Sequence, residues 1–235
     1  MTWREPVGLI LGVGVPVLLL VIFGLSSGFE QRIVSSSPTT LRTAYVPILI
    51  SLVLVLIALI SLPIPIVVQR ETQFLRRLST TPIPPRWLLA AQVVVNLLLA
   101  VLAIVLIVVG AALFFGVDPP LDVPGFVLAV LLAAFALFSI GLLVAALAPS
   151  QGVAGAIGSF LVFPLMFFAG LWTPRQTIPS GSVMHQISNL SPLGAAVQAM
   201  LGSIVGRFPS LGELAVMTVW AAVCGAAAVK LFRWE

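Results

Sequence analysis

Six stretches of this chain each run for about twenty residues almost without charge, and no soluble fold of this size can hide them all. They lie at roughly 7–25, 45–68, 87–116, 125–148, 152–172 and 213–232. About 20 apolar residues cross about 30 Å of hydrocarbon as a helix, and in lipid the backbone has no water to bond with, so such runs must be helical. The chain is 60% hydrophobic and 8% charged, against about 25% charged for a soluble domain. The expected fold is all-α: one polytopic membrane domain over residues 1–235, with six transmembrane helices. The first run lies close behind Arg4 and lacks a clear small-residue cleavage site. It is predicted to be a retained span rather than a removed signal peptide.

Lys and Arg in short loops set the orientation. With the N-terminus inside, Arg4, Arg70, Arg76, Arg77, Arg86, Lys230 and Arg233 face the cytoplasm, and Arg32, Arg42, Arg175 and Arg207 face outward. Both termini are then cytoplasmic. Trp3, Trp87, Trp172 and Trp234 fall near span ends, where indoles settle. The net charge of +4 belongs to these span ends and to anionic head groups, and gives no nucleic-acid signal.

Residues 173–212 are too apolar for a solvated loop. Ile187 to Leu190 and Leu193 to Leu201 look like two short helices broken at Ser191-Pro192. The pair either dips back into the outer leaflet as a re-entrant hairpin or lies flat on the membrane; the first needs protein to cover its open backbone ends. Pro16, Pro63, Pro65 and Pro164 lie within spans and invite kinks. Gly8 and Gly12, and then Gly152, Gly155 and Gly158, are spaced for close helix packing.

The run cores hold no Asp, Glu or Arg, and Lys230 belongs to the end of the last. An ion-coupled carrier usually needs a buried ionisable group, and a charge-selective channel needs a ring of them. His185 reads as an interfacial residue, Asn96 as an interhelical hydrogen-bond partner, and the single cysteine, Cys224, as a core residue. No HExxH, GxSxG or carboxylate pair at helical spacing occurs, so no enzyme chemistry and no metal site is expected. The phosphate-loop pattern GxxxxGK[ST] is also missing, since the lone lysine, Lys230, stands between Val229 and Leu231.

Four of the eleven basic residues fall in the nineteen positions Gln69 to Trp87. Wound as a helix over 71–81, Phe74, Leu75 and Leu78 share one arc while Arg76 and Arg77 point elsewhere. Glu71 suits the N-terminus of such a helix, and Pro82, Pro84 and Pro85 end it. Two readings stay open: a topogenic basic block lying in the interface, or a helix that docks into a cytoplasmic motor.

The run Arg70-Glu71-x-x-Phe74-Leu75-Arg76-Arg77-Leu78-x-Thr80-Thr81-Pro82-x-Pro84 resembles the first cytoplasmic loop of type-two ABC exporter permeases of the daunorubicin-resistance kind. The run Phe163-Pro164-Leu165-Met166-Phe167-Phe168-Ala169-Gly170-Leu171-Trp172-Thr173-Pro174, followed by Ile178-Pro179 and Asn189-Leu190-Ser191-Pro192-Leu193, resembles that family's fifth span and outer hairpin. The resemblance implies a bacterial inner-membrane exporter in which two six-helix permeases, identical or related, face each other above two ATPase subunits that carry ATP and Mg. It implies that Glu71, Phe74, Leu75, Arg76, Arg77 and Leu78 form the coupling helix, with Ser150 and Gln151 as a second contact. It places the substrate path along the second and fifth spans, with Phe160, Phe163, Phe167 and Phe168 facing it, although lipid contact or helix packing would account for that stripe equally. Pro179, Asn189 and Pro192 would belong to the outer hairpin. The chain departs from the family in its short lead, Met1 to Pro6, where an interfacial helix is usual. The expected function is export of an amphipathic drug or lipid-like molecule; the alternative is a membrane scaffold that anchors a cytoplasmic partner.

Overall fold

The structure is a computed structural model and describes residues 14–25, 41–72, 86–172 and 182–232. All regular elements among them are helical. They are α1 (Val15–Leu25), α2 (Leu41–Leu56), a π-helical turn (Ile57–Ser61), α3 (Pro63–Glu71), α4 (Arg86–Phe115), α5 (Val123–Leu147), α6 (Gln151–Ala169), α7 (Val183–Leu190), α8 (Pro192–Ile204) and α9 (Leu211–Leu231). Five helices among the described residues are long and apolar enough to cross a membrane: Thr43–Glu71, Ala90–Phe115, Val123–Leu147, Gln151–Ala169 and Leu211–Leu231. They match the second to sixth predicted runs. Of the first run only α1 lies within the described residues, so Gly8 and Gly12 fall outside them.

The span α2–π–α3 is the centre of the bundle. Leu49, Ile50, Val53, Leu54, Leu59 and Leu62 are fully buried, and α4, α5, α6 and α8 pack around it. By contrast α4 shows Val94, Leu98, Val101, Leu102, Val105 and Leu113 on its outside. A water-facing helix would not carry such a stripe; a lipid-facing one must.

Pro63 and Pro65 do not simply kink this span. Leu62 N–H reaches back five residues to Ile57 O at 2.9 Å, closing a π turn, and Pro63 opens the next helical stretch. Pro63 has no N–H to give to Leu59 O, its usual partner four residues back. The displaced carbonyls find room against glycines. A Cβ on Gly141 of α5 would lie 2.0 Å from Ala58 O, and one on Gly158 of α6 would lie 2.1 Å from Leu59 O. Of the three glycines noted at the start of the fifth span, only Gly158 serves such an approach. A Cβ at Gly155 would meet only Ile64 Cδ1 at 3.8 Å, and one at Gly152 only Ser150 Oγ at 4.0 Å.

The fifth span ends at Ala169, three residues before its predicted end. Gly170 adopts φ 93°, which a residue with a Cβ rarely takes, and stops the helix. Gly170 N–H bonds Phe167 O at 3.1 Å and Leu171 N–H bonds Met166 O at 3.2 Å. This paired arrangement is the Schellman motif.

The two short helices form as expected but longer, at Val183–Leu190 and Pro192–Ile204. Ser182 and Ser191 cap them, accepting from His185 N (3.2 Å) and Gly194 N (3.0 Å). Pro192 takes the first helical position, where its missing N–H is no loss. Helix α8 is buried on nearly all sides, against α2, α5, α6 and α9. Its far end meets the start of α5, where Asp122 N bonds Ser203 O at 3.0 Å. Its near end follows Leu190, whose carbonyl accepts from Trp220 Nε1 at 2.9 Å. Trp220 sits about 14 Å along α9 from Leu211, at 1.5 Å per residue. Helix α8 therefore runs from the level of Trp220 to the Asp122 end of α5.

Asn96 departs from expectation. Its Nδ2 donates to Gln92 O of its own helix at 2.9 Å, and its buried Oδ1 has no partner among the described residues. The short reach back one turn competes successfully with any bond to a neighbouring helix. Cys224 is buried and free, as a core residue should be.

Candidate functional site

Two regions gather the residues singled out in the sequence. The first is the end of the bundle where α3 stops. Glu71 Oε1 accepts from Gln151 N at 3.2 Å, across a sequence separation of 80. Beside it, Ser150 Oγ accepts from Val153 N at 3.3 Å and caps the same helix. Arg70 Nη2 donates to the carbonyl of Ala148, the C-cap of α5. A carboxylate thus sits at the positive start of α6 and a guanidinium at the negative end of α5, the favourable sign at each. Glu71, Ser150 and Gln151 are brought together. Phe74, Leu75, Arg76, Arg77 and Leu78 lie outside the described residues. Arg70 was not singled out as a contact, because a bond to a distant backbone carbonyl leaves no trace in sequence.

The second region is the outer face of α6. Phe160 is 76% exposed, Phe163 65% and Phe167 40%, while Phe168 is partly covered. Phe163, Pro164, Phe167, Phe168 and Trp172 line an open, wholly apolar concavity of about 450 Å³. Phe163 stacks on Trp172 with ring centroids 6.4 Å apart, and Phe167 meets Phe168 edge-on at 5.6 Å. Such a surface can hold an acyl chain, an aromatic ring or another helix by dispersion alone. Trp172 joins this set although the sequence had marked it only as a span-end indole. The second span, expected beside the fifth along the path, is mostly buried inside the bundle. Its residues Ile60, Ile64 and Val68 keep partial exposure.

Behind this face, side chains hold the chain reversals. Ser188 Oγ donates to Phe168 O at 2.8 Å and Tyr45 OH to Leu171 O at 3.3 Å. With the Trp220 bond to Leu190, three carbonyls that helix ends leave open are satisfied by protein. Pro192 is buried in this cluster, Asn189 is exposed and bonds the His185 ring at 3.2 Å, and Pro179 lies outside the described residues. No group of three or more His, Cys, Asp or Glu able to hold a metal occurs among the described residues.

The family model described as ABC-2 type transporter matches residues 1–205. The chain belongs to that family. It is thus a multi-pass membrane protein and the permease component of an ABC transporter, which works with an ABC ATPase. No curated protein and no solved structure matches the permease. Residues 206–235, with the whole of α9, lie beyond the matched region. Yet α9 packs along the length of α5 and supplies the Trp220 bond, so it is structurally part of the same body.

Proposed function

We propose that this permease exports an amphipathic drug or lipid-like molecule from the cytoplasm or inner leaflet, driven by a separate ATPase docked at residues 71–81 and 149–151. In this reading it sits in a bacterial inner membrane with six spans and cytoplasmic termini, and pairs with a second copy or a related permease. Residues 173–212 form a re-entrant outer hairpin; the burial of α8 and the three satisfied carbonyls support that reading. The observation that carries the substrate class is the aromatic concavity on α6. It offers no charge and no hydrogen-bond donor from its side chains apart from the Trp172 indole, so its ligand must be largely apolar.

In inside-out vesicles that hold the permease and its ATPase, ATP should drive uptake of a fluorescent amphipathic cation. Phe163→Ala with Phe167→Ala should cut the initial rate about tenfold, since each lost ring removes part of about 1.5–3 kcal/mol of apolar contact. ATPase retention should not change. Full uptake by that variant would remove the concavity from the path.

The orientation has its own check. With cysteines at Ser79 or Ser182 in a Cys224→Ala background, an impermeant thiol reagent should label position 182 in intact cells and spare 79. The reverse pattern would invert the topology.

A further inference from the structure

We propose that Arg70 and Glu71 are positioning residues that weld the end of the second span to the loop before α6, so that the motor contacts at these two places move as one body. This rests on the coupling reading above and goes beyond it. That reading treats Glu71 as a group facing the ATPase and gives Arg70 no part. The structure engages both with neighbouring helices. Glu71 takes the Gln151 amide, and Arg70 takes the Ala148 carbonyl. Two adjacent residues on α3 therefore hold the end of one helix and the start of the next.

The consequence lies in what α6 is free to do. It is among the least covered of the long helices, and it carries Phe160, Phe163 and Phe167 on its open side. It packs on α2, the π turn and α3 of the central span. At mid-height Gly158 lets Leu59 O close against it, and at its start Glu71 holds Gln151. Its own cap, Ser150, ties only α6 to itself. A push on α3 would thus reach α6 as a rigid displacement of its whole length, carrying the aromatic concavity with it. Without Arg70 and Glu71, only side-chain packing would join α3 to α6, and the start of α6 would follow the push less closely.

Spin labels at Thr72→Cys and Gly152→Cys, in a Cys224→Ala background, read the weld directly; both sites are exposed. The full chain is studied in nanodiscs, alone and bound to its ATPase, free of nucleotide and trapped with ATP and vanadate. The native chain should give one narrow distance distribution, the same in both states. Arg70→Ala with Glu71→Ala, which removes both the donor and the acceptor, should broaden it. Hydrogen exchange at the Gln151 amide should quicken about two- to tenfold in that variant, the loss of one net hydrogen bond. ATP consumed per substrate moved should rise while the ATPase stays bound, which a merely structural defect would not produce. A native distance that shifts on trapping overturns the weld, as does a double variant with native distances and native exchange. If the ATPase never co-purifies, the coupling reading falls, and the native-against-variant comparison on the permease alone still decides the weld. Should the double variant fail to insert, Glu71→Ala, at an exposed side chain, carries the exchange measurement.

Discussion

Gly141→Ala and Gly158→Ala should each lower the melting temperature of the purified permease by roughly 6–12 °C, the shift expected from about 3 kcal/mol in a chain of this length. The clash is with main chain. The added methyl would lie 2.0 Å from Ala58 O in the first case and 2.1 Å from Leu59 O in the second. A side chain could swing aside; these carbonyls belong to the central span and are fixed by the π turn and by Pro63. Relief would need a shift of the span itself, in the most densely packed part of the bundle. The two variants share that span, so their effects should not add in full. Gly155→Ala is the matched control. Its methyl meets Ile64 Cδ1 at 3.8 Å, an ordinary contact, and alanine is the better helix former by about 0.8–1 kcal/mol. Its melting temperature should stay or rise. An unchanged melting temperature for Gly141→Ala would mean that the π turn is not held there.

Phe74→Ala with Leu78→Ala should weaken ATPase binding by roughly tenfold to several hundredfold, while Arg76→Ala with Arg77→Ala should cost far less. Burying an apolar side chain of this size is worth about 1.5–3 kcal/mol, and every 1.4 kcal/mol is about tenfold in affinity. Exposed ion pairs contribute only about 0–1 kcal/mol and fade with salt. If the segment is instead only a topogenic block, the order reverses. Loss of the arginines would then reduce membrane insertion, and loss of Phe74 and Leu78 would do little. Measuring inserted yield and ATPase co-purification on both double variants separates the cases.

Apolar run length alone located the second to sixth spans to within a few residues, because length and hydrocarbon thickness leave little choice. The break at Ser191-Pro192 was also readable, since proline cannot continue a helix and serine caps the next one. The end of the fifth span carries a local signal: Gly170 followed by an apolar Leu171 is the sequence of a Schellman stop. The π turn had none that pattern reading can isolate. Two prolines announce an irregularity, but whether the chain kinks or winds wider depends on Gly141 and Gly158, on two other helices. Gly158 stands in a small-residue series whose other members meet only ordinary side-chain contacts, so spacing could not rank them.

The candidate site was legible in the same uneven way. Glu71 and the Ser150-Gln151 pair come from segments 80 residues apart and lie together at one end of the bundle. The aromatic stripe was chosen from one helix, and it does share an exposed face. What sequence could not supply was direction. Glu71 binds the start of a neighbouring helix, Arg70 grips a distant carbonyl, and the second span sits at the centre of the bundle. Each of these depends on tertiary placement that one chain's periodicity does not encode.

The central claim is that this chain is a transport body powered from outside itself. Reconstitution in proteoliposomes tests it most directly, with the permease alone, the ATPase alone and the two together, each supplied with Mg-ATP and a fluorescent amphipathic cation. The account predicts uphill movement of the cation only with both chains present, and no ATP hydrolysis above background from the permease alone. Uphill transport or ATP hydrolysis by the permease without its partner would contradict it.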